Sequence, residues 1–176
     1  MAVGIPFFRT LCDDYPSAEG GTRRQIRGSF QIRVPDPSDP SRTLFSPPEQ
    51  FLFDTGAEFS AVSEGFAADY GFADFRTAGR LTTVRGFDES GPPRRGWLVP
   101  RWVRFRDHDH DLQPAPNGDG IPHLMFRIHF LVIEGVVIDV PILGLTDSHA
   151  YFTLGSSEEE YWFILKASGD GVRELP

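Results

Sequence analysis

The 176-residue sequence predicts a mostly β fold with one or two short helices. Three observations lead there. Fifteen Pro and 18 Gly interrupt the chain so often that long helices are excluded. Sixteen Phe and 3 Trp supply the bulky side chains that strands favour and cores bury. Several short stretches alternate apolar and polar residues, the period of a half-buried strand. The length and a hydrophobic content of 40% suit one domain with its own core.

Along the chain, residues 1–24 show no clear period, and 1–28 read as an N-terminal arm with "PSAEGGTRR" exposed. Ser29–Val34 (SFQIRV) alternates and reads as a strand, followed by the Pro-broken loop "PDPSDPSRTLFSPPE". "QFLFDTG" is a buried strand running into a tight turn. Ser63 is placed to cap a short helix, in which Phe66 and Tyr70 lie four apart and Gly71 stands near the end. Leu81–Val84 and Trp97–Phe105 read as extended segments joined by "RGFDESGPPRRG". That composition predicts a long hairpin with a mobile tip, residues 85–97 forming the most mobile ordered hairpin of the chain.

After the polar stretch "DHDHDLQPAPNGDGIP", the run Leu124–Gly144 predicts two strands meeting near Glu134–Gly135. In the first, Phe126, Ile128, Phe130 and Val132 share one face, with Arg127 and His129 on the other. Asp147 or Ser148 is expected to cap a second short helix running through Leu154. "YWFILKA" is a last strand. The principal domain spans 29–166, and 167–176 reads as a frayed tail. No internal repeat is visible.

The stretch "FLFDTGAEFSAVS", Phe51–Ser63, raises the sharpest question. It drives Asp54 in behind an apolar strand. An ionised carboxylate is costly to bury unless it is paired or hydrogen-bonded, and a buried, perturbed one marks a candidate site. The plain alternative is an Asp that only caps a turn.

An apolar strand ending in Asp54-Thr55-Gly56-Ala57 resembles the catalytic loop of the aspartic proteases, in the form usual for the retropepsin-like (retroviral-type) branch. The branch's second signature, an apolar strand end closed by Gly, is matched by Ile142, Leu143 and Gly144 in "PILG". The resemblance covers roughly residues 29–166. It implies a closed, barrel-like acid-protease half-domain with a flap hairpin, in which the two signatures lie side by side. It also implies a catalytic Asp54, with Thr55 and Gly56 supporting its loop. Ala57, Glu58, Gly86 and Phe87 would bind substrate. The substrate would be a peptide or protein, and no cofactor or metal is implied. The family often carries Arg directly after the late Gly, paired with an acidic residue shortly after Asp-Thr-Gly. Here Leu145 stands in the first place and Glu58 in the second, so any arginine partner must come from elsewhere in either subunit.

Such chemistry needs two carboxylates sharing one proton, one acting as base and the other as acid on a water molecule. Asp-Thr-Gly occurs once and Asp-Ser-Gly not at all. An active site therefore requires Asp54 from two chains meeting on a twofold axis, which makes the expected enzyme a homodimer. Two other readings remain open: a non-catalytic dimeric peptide-binding or scaffold module of the same fold, and a monomer whose Asp54 has no partner.

Other constellations are weaker. Asp107, His108, Asp109, His110 and Asp111 suggest metal ligands, but zinc needs three or four groups converging on one point, and a solvated loop explains the run equally. Cys12 near the terminus reads as an inert small residue rather than a nucleophile. Arg94, Arg95, Arg101, Arg104 and Arg106 read as surface charge around the proposed flap, or as a preference for acidic peptides. A net charge of −8 argues against nucleic acid as a general partner. No apolar run is long enough to span a bilayer and no leader opens the chain, so no membrane partner is expected. A single Cys fits a reducing compartment, and the expected location is the cytoplasm.

Overall fold

The structure is a computed structural model. It describes residues 7–16, 20–72, 74–85, 91–106, 124–156, 160–166 and 171–174. The elements in chain order are β1 (Phe7–Pro16), β2 (Thr22–Asp36), β3 (Asp39–Phe45), β4 (Glu49–Phe53), β5 (Ser60–Val62), α1 (Glu64–Asp69), α2 (Phe75–Ala78), β6 (Arg80–Val84) and β7 (Arg94–Arg106). They continue with β8 (Leu124–Ile133), β9 (Ile142–Leu143), α3 (Leu145–Tyr151), β10 (Phe152–Ser156), β11 (Glu160–Leu165) and β12 (Val172–Glu174).

The strands form one sheet in the order β10-β11-β1-β2-β4-β9-β5-β8-β7-β6, with β3 on β2 and β12 on β8. An added pairing, Ser29–Ile32 of β2 against Val103–Arg106 of β7, joins the sheet back on itself. Pairings thereby run from β2 through β4, β9, β5, β8 and β7 back to β2, and the resemblance implies a barrel-like form.

Alternation fills that circuit. Phe30 and Ile32 of β2, Phe51 and Phe53 of β4, Val103 and Phe105 of β7, and Phe126, Ile128, Phe130 and Val132 of β8 are all buried. Arg127 and His129 lie exposed on the opposite face of β8, as the period requires. At the heart of the core, Phe8 stacks between Phe105 and Phe163, each with its centroid 4.8 Å away, and Phe51 and Phe152 meet it edge-on. Burying each ring contributes about 1.5–3 kcal/mol. Gly28 of β2 makes this packing possible, because a Cβ there would lie 2.2 Å from the Phe51 ring.

The short helix after Ser63 forms as expected. The Ser63 hydroxyl accepts the Phe66 N–H, and Phe66 stacks on Tyr70 at 4.3 Å. The hairpin also forms, with Arg80–Val84 paired antiparallel to Arg94–Leu98.

Several stretches differ from expectation. Within the residues read as an arm, 7–16 form β1, paired with both β2 and β11, and 22–28 open β2. Their period is hidden because Thr10 is buried beside Phe8, its hydroxyl donating to the Tyr161 carbonyl at 2.9 Å. Part of the Pro-rich loop is β3. Among the described residues it pairs only with β2, on an edge where Pro40 can sit without breaking a ladder on both sides. The second strand after Glu134–Gly135 shrinks to β9, and residues 136–141 carry no strand. The helix expected to be capped by Asp147 or Ser148 and to run through Leu154 has Gly144 as its N-cap, spans Leu145–Tyr151, and gives way to β10, which contains Leu154. Residues 172–174 of the expected tail pair with β8.

Among the described residues, no helix is long and apolar enough to cross a membrane. Cys12 is a free thiol, half-buried against the core.

Candidate active site

Asp54 stands at the end of β4, where the apolar strand leaves the core. The loop turns back at once. The Gly56 N–H donates to Asp54 Oδ1 at 2.8 Å, and the Ala57 N–H donates to the Asp54 carbonyl at 3.2 Å. Asp54 Oδ2 takes no hydrogen bond from a described residue. Asp54 is only half-buried, and Thr55 and Gly56 are exposed. The single chain therefore does not bury the carboxylate that the apolar lead-in points toward. The apolar lead-in anchors the strand, and the carboxylate itself emerges at its end.

Ile142–Gly144 lies directly beside this loop. Leu52 and Phe53 of β4 pair in parallel with Ile142 and Leu143 of β9. The Asp54 N–H donates to the Leu143 carbonyl at 3.2 Å. Gly144 must be glycine, because a Cβ there would stand 2.3 Å from the Phe59 carbonyl carbon and 2.5 Å from its oxygen.

The same segment caps α3. The first N–H groups of a helix have no partner within it. Here Leu145 N–H donates to the Ala57 carbonyl and Thr146 N–H to the Glu58 carbonyl, both at 2.9 Å. Ala57 and Glu58 thus hold the helix through their main chain. The Glu58 side chain is exposed and reaches no ion-pair partner among the described residues.

A second carboxylate, read in the sequence only as a candidate helix cap, stands behind the loop. Asp147 is buried at 3% exposure. Its Oδ2 accepts the Ser60 hydroxyl at 2.6 Å, and its Oδ1 accepts the His129 main-chain N–H at 3.2 Å. The imidazole Nδ1 of His129 lies 3.5 Å from the same Oδ1. The Ser60 hydroxyl in turn accepts the Gly144 N–H at 3.2 Å. Burial pushes the Asp147 carboxyl up from the ordinary aspartate value, and the bonds from Ser60 and His129 oppose that rise. No sequence signal links these groups, since Ser60 and Asp147 lie 87 positions apart.

The arginines do not gather at one place. Arg95 pairs with Glu134 and Arg101 with Asp74, while Arg104 and Arg106 both reach Gln31 Oε1 further along β7. Gly86 and Phe87 lie outside the described residues, as does Asp107–Asp111. Among the described residues, no group of three or more His, Cys, Asp or Glu is placed to hold a metal ion.

No protein-family model matches the sequence, and no curated protein matches it. Among solved structures, the crystal structure of a retropepsin-like aspartic protease from Rickettsia conorii superposes with a TM-score of 0.50. The match covers 93% of this chain and 94% of that one, at 13% identity. The fold is retropepsin-like. At that identity the likeness concerns architecture alone. Within the retropepsin-like fold, the side-by-side loops are a property of this chain's own residues.

Proposed function

We propose that this chain is one subunit of a homodimeric aspartic endopeptidase, with Asp54 supplying one of its two catalytic carboxylates. One observation carries the reading. In a retropepsin-like fold, the sole Asp-Thr-Gly loop is clamped against the Ile142–Gly144 strand end, with an accessible carboxylate at its tip. Thr55 and Gly56 shape that loop. The exposed Glu58 side chain and Ala57 would contact the peptide, and the β6–β7 hairpin would close over it, with Gly86 and Phe87, which follow β6 in the sequence, as further candidate contacts.

In the dimer, two Asp54 carboxylates share one proton. The ionised one takes a proton from a water molecule as its oxygen attacks the peptide carbonyl carbon. The protonated one gives its proton to the carbonyl oxygen. The tetrahedral intermediate then collapses. The C–N bond breaks, a proton passes to the leaving nitrogen, and a carboxylic acid and an amine remain.

The test is cleavage of a peptide library at several pH values and protein concentrations, with Asp54→Asn alongside. Asn keeps the shape and the acceptor for Gly56 but cannot carry the charge or move the proton. The variant should lose on the order of hundreds-fold in rate or more. Activity per subunit should fall on dilution, because a separated chain holds half a site. Cleavage that persists in Asp54→Asn removes Asp54 from the catalytic role. A wild type that dimerises and binds peptides without cutting them supports the peptide-binding module instead.

A further inference from the structure

The peptide unit between Leu143 and Gly144 is a single rigid plane. Its carbonyl accepts the Asp54 N–H at 3.2 Å. Its N–H donates to Ser60 Oγ at 3.2 Å, and the Ser60 hydroxyl donates to Asp147 Oδ2 at 2.6 Å. These links form one chain of hydrogen bonds that begins at the main chain of Asp54 and ends on a buried carboxylate. Every donor in it points toward Asp147. Bonds aligned in this way polarise and strengthen one another in a low-dielectric interior.

We propose that Ser60 and Asp147 are positioning residues that orient Asp54 through the Leu143–Gly144 peptide. The proposal rests on the protease reading of the same site. Neither residue reaches the solvent side of the loop: Ser60 is 0% and Asp147 3% exposed. Their action on the reacting carboxylate passes through main-chain atoms. Asp147 also ties the relay to β8 through the His129 N–H, so a strand paired on both sides stands behind the loop. The Glu58 side chain takes no described part in this bracing, which leaves its charge available at the surface.

The geometry suits catalysis better than simple cohesion. Stability requires only that the buried hydroxyl and carboxylate be satisfied, whatever they touch. Here their bonds run to the one peptide that holds the Asp54 N–H. A small rotation of that plane would turn the Asp54 amide and displace the carboxylate it carries. Displacements of this kind lower turnover more than substrate affinity, because they act on the reacting geometry.

The experiment compares Ser60→Ala, Asp147→Asn and the Ser60→Ala/Asp147→Asn double variant with wild type, by steady-state kinetics and by amide NMR of the folded protein. Each single change should lower kcat on the order of tenfold with KM nearly unchanged. The double change should be no worse than the worse single, because both cut one chain. Independently of activity, each single change should move the Asp54 amide proton resonance, although neither residue touches it. Losses that multiply in the double variant, or a change confined to KM, would overturn the proposal. So would an Asp54 amide resonance that stays in place in well-folded variants. If the wild type cleaves nothing while the Asp54 amide still responds, the protease reading fails and the relay stands.

Discussion

Two carboxylates flank the Leu143–Gly144 peptide, and their surroundings differ. Asp54, on the carbonyl side, is half-exposed, and one of its oxygens takes no hydrogen bond from a described residue. Asp147, on the N–H side, is buried, and both its oxygens are occupied. The first keeps one oxygen open toward groups outside the described residues. The second completes contacts the chain makes with itself. The difference teaches that burial of an acidic residue and its availability for chemistry are separate properties. In this fold they are divided between two residues on opposite sides of one glycine.

The hinge of that comparison is Gly144 itself. Gly144→Ala would push a methyl into the Phe59 main chain, separate the two loops and lower stability by about 3 kcal/mol or more. Chemical denaturation measures it, and a neutral result would mean the loops do not pack as described. Next comes Asp147→Ala, which strips the Ser60 hydroxyl and the His129 N–H of their acceptor. The expected loss is about 1–3 kcal/mol. Asp54→Asn should change subunit stability by no more than about 0.5 kcal/mol, since the Gly56 N–H keeps its acceptor. Equal losses at the two aspartates would erase the contrast.

A pH series sharpens the same contrast. The Asp147 carboxyl binds its proton more tightly when folded than when unfolded. Its contribution to stability is therefore fully present below the ordinary aspartate value, and is lost as pH rises through the raised folded value. Asp147→Asn removes that dependence. The stability of wild type relative to the variant should decline as pH climbs out of the acidic range. A difference that stays flat or rises would show that the Asp147 carboxyl does not bind its proton more tightly on folding. The smallest effect belongs to the exposed Arg95–Glu134 pair at the base of the hairpin. Arg95→Ala should shift stability by about 0.5 kcal/mol or less, the range of solvent-exposed ion pairs.

Much of this arrangement was legible in the residues. Period-2 alternation marked the inner face of β8, and the apolar run before Asp54 marked β4, because strand geometry forces alternate side chains to opposite faces. Ser63 announced α1 because a hydroxyl just ahead of a helix satisfies its free N–H groups locally. β1 was hidden, since a buried Thr10 looks like a polar break until the Tyr161 carbonyl that receives it is known. The start of α3 was misplaced for a related reason. Its N–H groups are satisfied by the Ala57 and Glu58 carbonyls, and main-chain acceptors leave no trace in residue identity.

By itself the sequence determined the strand-rich class, the tight turn at Asp54-Thr55-Gly56 and the apolar strand end at Gly144. Each of these depends on residues adjacent in the chain, whose side-chain size and backbone freedom act locally. Only the tertiary structure decided that Asp54 emerges while Asp147 is buried, and that Ser60 links Gly144 to Asp147. Those outcomes depend on groups up to 87 positions apart being brought within hydrogen-bond distance. That distance is set when β4, β5, β8 and β9 close around one aromatic core, and no local pattern records it.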